Sequence, residues 1–134
     1  MLSAVTLSIS IDRDWRELYE AIWRPEVFPK WATGLAQSQL QREHGQWIAQ
    51  GPEGPIRIRF SDHNTHGVMD HWVDLESGTT VHIPLRIIEN GEGAEVLLTL
   101  FRQPDMDDER FENDIEWVRR DLETLKQLVE SQGL

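Results

Sequence analysis

The chain has 134 residues with 13 basic and 24 acidic side chains, and its formal net charge of -11 leaves no positive footprint for nucleic acid or an anionic membrane surface. At 39% hydrophobic residues and six Trp it is too apolar for a disordered tail and long enough for a core, so 1–134 reads as one domain. It contains no Cys, which excludes disulfides, a thiol nucleophile and Cys-based zinc, and no apolar run of about 18 residues, so no membrane insertion is expected.

The opening MLSAVTLSISI lacks a basic region and alternates like a strand, which argues against a signal peptide and for a cytoplasmic location. Val5, Leu7, Ile9 and Ile11 share one face of that strand. Asp12 is the expected cap of the helix that follows, whose stripe is Trp15, Leu18, Tyr19 and Ile22. Pro25 suits the first position of a second short helix, and Pro29 limits its length. Val27, Phe28 and Trp31 are its anchors.

A polar stretch from Leu35 to Glu43 fits an exposed edge strand, where charged and amide side chains discourage pairing with another chain. His44-Gly45 reads as a hairpin turn, Trp47 to Ala49 as the return strand, and GPEGP at 51–55 as the next break. Ile56, Ile58 and Phe60 alternate with Arg57, Arg59 and Ser61. After the loop DHNTHG, Val68 to Leu75 and Thr79 to Ile88 read as two further strands. Pro84 cannot donate to a ladder, so a bulge, bend or edge is expected there. Asn90-Gly91 marks a turn, and Ala94 to Arg102 is the last strand.

From Asp107 the pattern becomes helical. Phe111, Ile115, Val118, Leu122, Leu125, Leu128 and Val129 recur at steps of three and four. Asp107 is the expected cap, and Gly133 the natural end. A helix of this length needs a broad apolar surface, which the strands can supply. The expected fold is therefore α+β: a curved antiparallel sheet of six or seven strands around one long C-terminal helix, with two short helices after the first strand.

Strand parity places Met69, His71, Val73 and Leu75 on the apolar face of 68–75, and Val81, Ile83, Leu85 and Ile87 on that of 81–88. His71 then points inward, where it needs a partner, a water or a ligand, and where it is the candidate acid or base. His82 and Arg86 point outward, facing Asp70 in a solvated pair. The histidine spacing matches no compact zinc site, and no phosphate-cradling glycine loop occurs, so neither metal nor cofactor is expected.

The order of strand, IDRDWRELYEAIWRPEVFPKW, meander and long C-terminal helix resembles the START-like (SRPBCC) superfamily, in particular its small bacterial polyketide cyclase/dehydrase-like members. The cue is Pro25, Pro29 and Trp31 between the first strand and the meander. The resemblance implies a helix-grip fold with a cavity between sheet and last helix that takes a small hydrophobic, amphipathic or aromatic molecule. The expected lining is Trp31, Phe60, Met69, His71, Val73, Ile83 and Leu85, with Ile115, Val118, Leu122 and Leu125 from the helix. Two other functions stay open: a cyclase or dehydratase using His71, and an interaction or chaperone-linked module with a filled core.

Overall fold

The computed structural model describes residues 1–33, 40–51, 54–131 and 133. The first strand, β1 (Ala4–Ile11), is followed by α1 (Trp15–Ile22) and a 3-10 helix over Pro25–Lys30. Then come β2 (Gln41–Glu43), β3 (Gln46–Gly51), β4 (Gly54–Phe60), β5 (His71–Asp74), β6 (Thr80–Ile83), β7 (Leu85–Asn90) and β8 (Gly93–Phe101). The chain ends in the 23-residue helix α2 (Asp108–Glu130). All strand pairs are antiparallel, in the orders β1-β8-β7 and β2-β3-β4-β5-β6. Among the described residues, no helix is long and apolar enough to cross a membrane.

Local chemistry explains most of the boundaries. Asp107 caps α2 by accepting from the Arg110 N–H at 2.8 Å. In α1 the cap is Asp14, not Asp12: its carboxylate accepts from the N–H groups of Arg16 and Glu17. The chain makes a turn at Arg13 N–H to Ile11 C=O, so the helix starts two residues late, and the Asp12 N–H donates to Glu130 on α2 instead. Pro29 lies inside the 3-10 helix rather than beyond it. His44 and Gly45 both have positive φ, 52° and 78°, as a two-residue hairpin between β2 and β3 requires. Within the expected Leu35–Glu43 strand only Gln41–Glu43 is a strand, and 34–39 lies outside the described residues.

Pro84 divides one bent strand into β6 and β7. Its first half pairs with β5 and its second with β8, while the Pro84 C=O accepts from the Thr99 N–H at 3.0 Å. Side-chain parity survives the break: Ile83, Leu85 and Ile87 are all buried. The expected strand Val68–Leu75 is shorter than its alternation suggests. Regular pairing covers only His71–Asp74, and Val68 makes a single bridge to Arg86. The preceding loop approaches β7 through Gly67, whose C=O accepts from the Ile87 N–H at 2.9 Å.

Gly67 has φ 70°, and a Cβ there would lie 2.3 Å from the Ile87 carbonyl oxygen. Left-handed strain and a backbone clash then act together, so Gly67→Ala should cost about 2 kcal/mol. Urea unfolding measures this; an unchanged midpoint would mean the loop does not seat against β7.

The two halves of α2 have different surroundings. Leu122, Leu125 and Val129 in the C-terminal half are buried in the core. Lys126 fixes that half to β1 through the Ser10 C=O at 2.5 Å and also pairs with Glu130 at 2.9 Å. The N-terminal half, from Arg110 to Asp121, stands off the sheet and leaves a cavity.

Candidate functional site

The cavity has a volume of about 500 Å³, within the range of about 300–1,000 Å³ usual for small-molecule sites. Its deep wall is apolar and aromatic, built from Phe28, Trp31, Val73, Ile83 and Leu98, all buried. The mouth runs between the turn after β5, with exposed Ser77 and Thr79, and the segment Pro104–Asp105 leading to α2. Phe101, Phe111 and Trp117 add aromatic surface on that side.

Of the residues expected to face a ligand, Trp31, His71, Val73, Ile83 and Val118 line this cavity. Met69, Leu85, Leu122 and Leu125 sit in the packed core away from it, and Phe60 and Ile115 are half-buried and also off its wall. The reason on α2 is rotational. The cavity-facing residues are Arg110, Phe111, Asp114, Trp117, Val118 and Asp121. At about 100° per residue, this stripe is centred roughly 50° from the apolar one. Apolar periodicity finds the side that packs, whereas a cavity wall can keep polar groups. The 110, 114, 117, 121 spacing was available in the sequence as a signal for this second stripe.

His71 is 0% exposed and packs edge-on to Phe28, with ring centroids 5.3 Å apart, and against Phe60 at 5.9 Å. Its Nδ1 stands 3.5 Å from the Met69 carbonyl oxygen, which can only accept, so this long contact suits the tautomer protonated at Nδ1, in which Nε2 is the acceptor. Burial outweighs that carbonyl and pulls the imidazole pKa down to about 4, so the ring is neutral at pH 7. His71 Nε2 and Trp31 Nε1 are both buried without a hydrogen-bond partner among the described residues. At the other wall, Asp121 accepts from the Thr33 hydroxyl at 2.9 Å, and the Trp117 N–H reaches the same hydroxyl at 3.4 Å.

The outer face holds a second polar group. Asp70 is 4% exposed, not solvated as its outward parity suggests. Its carboxylate accepts from Arg86 Nε at 2.9 Å and Nη2 at 2.8 Å, and from the Leu85 N–H at 3.0 Å. His82 Nε2 lies 3.0 Å from the same carboxylate and stacks on Trp72 at 5.0 Å. Arg86 and His82 thus cover an acid that strand alternation leaves open.

No protein-family model matches the sequence, and no curated protein matches it. Solved structures do match. XoxI of Bacillus cereus superposes with a TM-score of 0.71 at 15% identity, over 94% of each chain. Ara h 8.0201 gives 0.66 at 11% identity, over 98% of this chain and 99% of its own. DynU16, a protein of the dynemicin biosynthetic locus, gives 0.67 at 13% identity; the match covers 96% of this chain but 48% of DynU16, about half its length. These superpositions span nearly the whole of this chain, and its antiparallel strands, the short helices after the first strand and the long C-terminal helix make up a helix-grip fold.

Proposed function

We propose that the protein binds a small apolar or amphipathic molecule in the cavity between the sheet and the N-terminal half of α2, without chemistry of its own. The observation that carries this is the cavity of about 500 Å³ backed by Phe28, Trp31, Val73, Ile83 and Leu98. Covering that surface removes apolar area from water at about 25 cal/mol per Å². An interaction module would instead be expected to fill its core. A cyclase would need its base to meet the substrate, and His71 Nε2 has no exposed surface from which to do so. That shielding favours binding over catalysis.

N-phenyl-1-naphthylamine, a neutral apolar dye that brightens on leaving water, tests the proposal. Saturable binding at one site is expected. Val118→Trp places an indole into the cavity from α2 and should weaken binding about tenfold, the order of effect of displacing well-buried ligand surface. A dye signal that does not saturate, or that Val118→Trp leaves untouched, counts against this cavity as the site.

A further inference from the structure

The sheets end in edges of different character. β2 is three residues long and carries Arg42 and Glu43, charges that discourage pairing with another chain. β6 is four residues long and runs on into β7. The edge of β7 is occupied, since Ile87 donates to the Gly67 C=O and Val68 bridges to Arg86. β1 differs from all three. It has eight residues and pairs on one side with β8, and the sequence carries no charged side chain from Met1 to Ile11. Backbone direction shows which groups face its open side. The Ser3 C=O accepts from the Arg102 N–H, so the odd-numbered residues turn to β8 and Ala4, Thr6, Ser8 and Ser10 turn outward. α2 seals the far end: the Ser10 C=O accepts from Lys126 Nζ, and the Asp12 N–H donates to Glu130. The outward N–H and C=O groups of Ala4, Thr6 and Ser8 have no partner among the described residues, and all three residues are exposed.

We infer that two copies of the chain pair through this edge, β1 antiparallel to β1 about a two-fold axis at Thr6. Ala4 then faces Ser8 of the second copy and Thr6 faces Thr6, each pair exchanging two N–H···O=C bonds. That register uses the three free positions and stops where Lys126 and Glu130 close the edge. On the inner side, half-buried Val5 and Leu7 meet Leu7 and Val5 of the second copy, so apolar surface is covered as the backbone bonds form. Charge selects the place. At a net charge of -11 two copies repel each other at long range, and an uncharged strand lets them touch without setting like charges face to face. Both copies use the same edge, so the assembly closes at the dimer. This pairing is independent of the cavity.

Sedimentation equilibrium from about 5 to 500 µM should show a reversible monomer–dimer system, the behaviour of a small interface. Thr6→Lys and Thr6→Glu each set like charges face to face on the axis and should weaken the dimer at least about fivefold. An equimolar mixture of the two variants sets opposite charges there and should associate at least as tightly as wild type. Gln46→Lys adds the same charge at an exposed position of β3 and should leave association unchanged. Amide exchange followed by NMR gives a reading that needs no variant: protection of the Thr6 and Ser8 N–H groups should rise with protein concentration. A monomer at every concentration, a dimer that both Thr6 variants leave intact, or Thr6 and Ser8 exchange independent of concentration overturns the edge pairing. A mixture of the variants no tighter than its components overturns the axis at Thr6, and assembly beyond the dimer overturns closure through a shared edge.

Discussion

Asp70→Ala should destabilise the protein by about 3 kcal/mol, and Asp70→Asn by somewhat less. The carboxylate joins the end of β6, the start of β7 and the segment leading into β5 across the break at Pro84. It takes the Leu85 N–H, the first donor after the proline, together with Arg86 and His82. Arg86 and His82 are partly exposed and can turn to water when the acid is removed. The Leu85 N–H cannot, since Leu85 is 0% exposed, and a stranded buried donor costs about 1–3 kcal/mol on its own. Loss of charge-assisted bonds to Arg86 adds to this.

The same site sets an acid limb. Burial alone would raise the Asp70 carboxyl, but hydrogen bonds from Arg86, the Leu85 N–H and His82 outweigh it and bring the pKa down from 3.8 to about 2. A folded-state value below the unfolded one means the folded state binds the proton less readily. The stabilisation is therefore complete above about pH 5 and is lost as the pH falls through about 4 towards 2, amounting to about 2 kcal/mol at 1.36 kcal/mol per unit. Urea unfolding of wild type and Asp70→Asn between pH 7 and pH 2.5 measures the difference directly. The gap should narrow on acidification; a constant gap would show that the carboxylate's charge plays no part.

Asp70 also shows where the sequence stops being legible. Alternation puts it on the outer face correctly, and it pairs with His82 and Arg86 as expected. Its burial depends on how two side chains from the neighbouring strand fold over it, which no pattern within 68–75 contains. The first-helix cap is a similar case at short range. Asp12 and Asp14 are equally good caps by composition, and the choice is made by the turn at Arg13 and by Glu130, 118 residues away. Elements set by local chemistry were readable: the β1 alternation, the His44-Gly45 turn, the Asp107 cap and the break at Pro84. On α2 the apolar stripe correctly locates the packed C-terminal half, where Leu122, Leu125 and Val129 are buried. The cavity wall runs beside it through Asp114, Trp117 and Asp121, because space, unlike packing, does not require apolar neighbours.

His71→Leu should gain stability relative to wild type as the pH falls, by up to about 3 kcal/mol between pH 7 and pH 4. In wild type, burial draws the imidazole pKa down from 6.5 to about 4, against the Met69 carbonyl, which favours the charged ring. Between those values the unfolded chain takes up a proton that the folded chain refuses. Wild-type stability consequently falls across this window as pH drops, and a shift of that size corresponds to about 3 kcal/mol at 1.36 kcal/mol per unit. Leucine has no proton to take up, so this part of the loss disappears, while the Asp70 contribution stays in both proteins and cancels in the comparison. At pH 7 the two should differ by no more than about 1 kcal/mol. The variant gives up ring contacts with Phe28 and Phe60, and it also removes a buried nitrogen with no partner among the described residues. Parallel pH profiles for the two proteins would show that His71 is hydrated or satisfied in solution. Divergence in the stated sense would establish a neutral imidazole shielded from water in the folded protein.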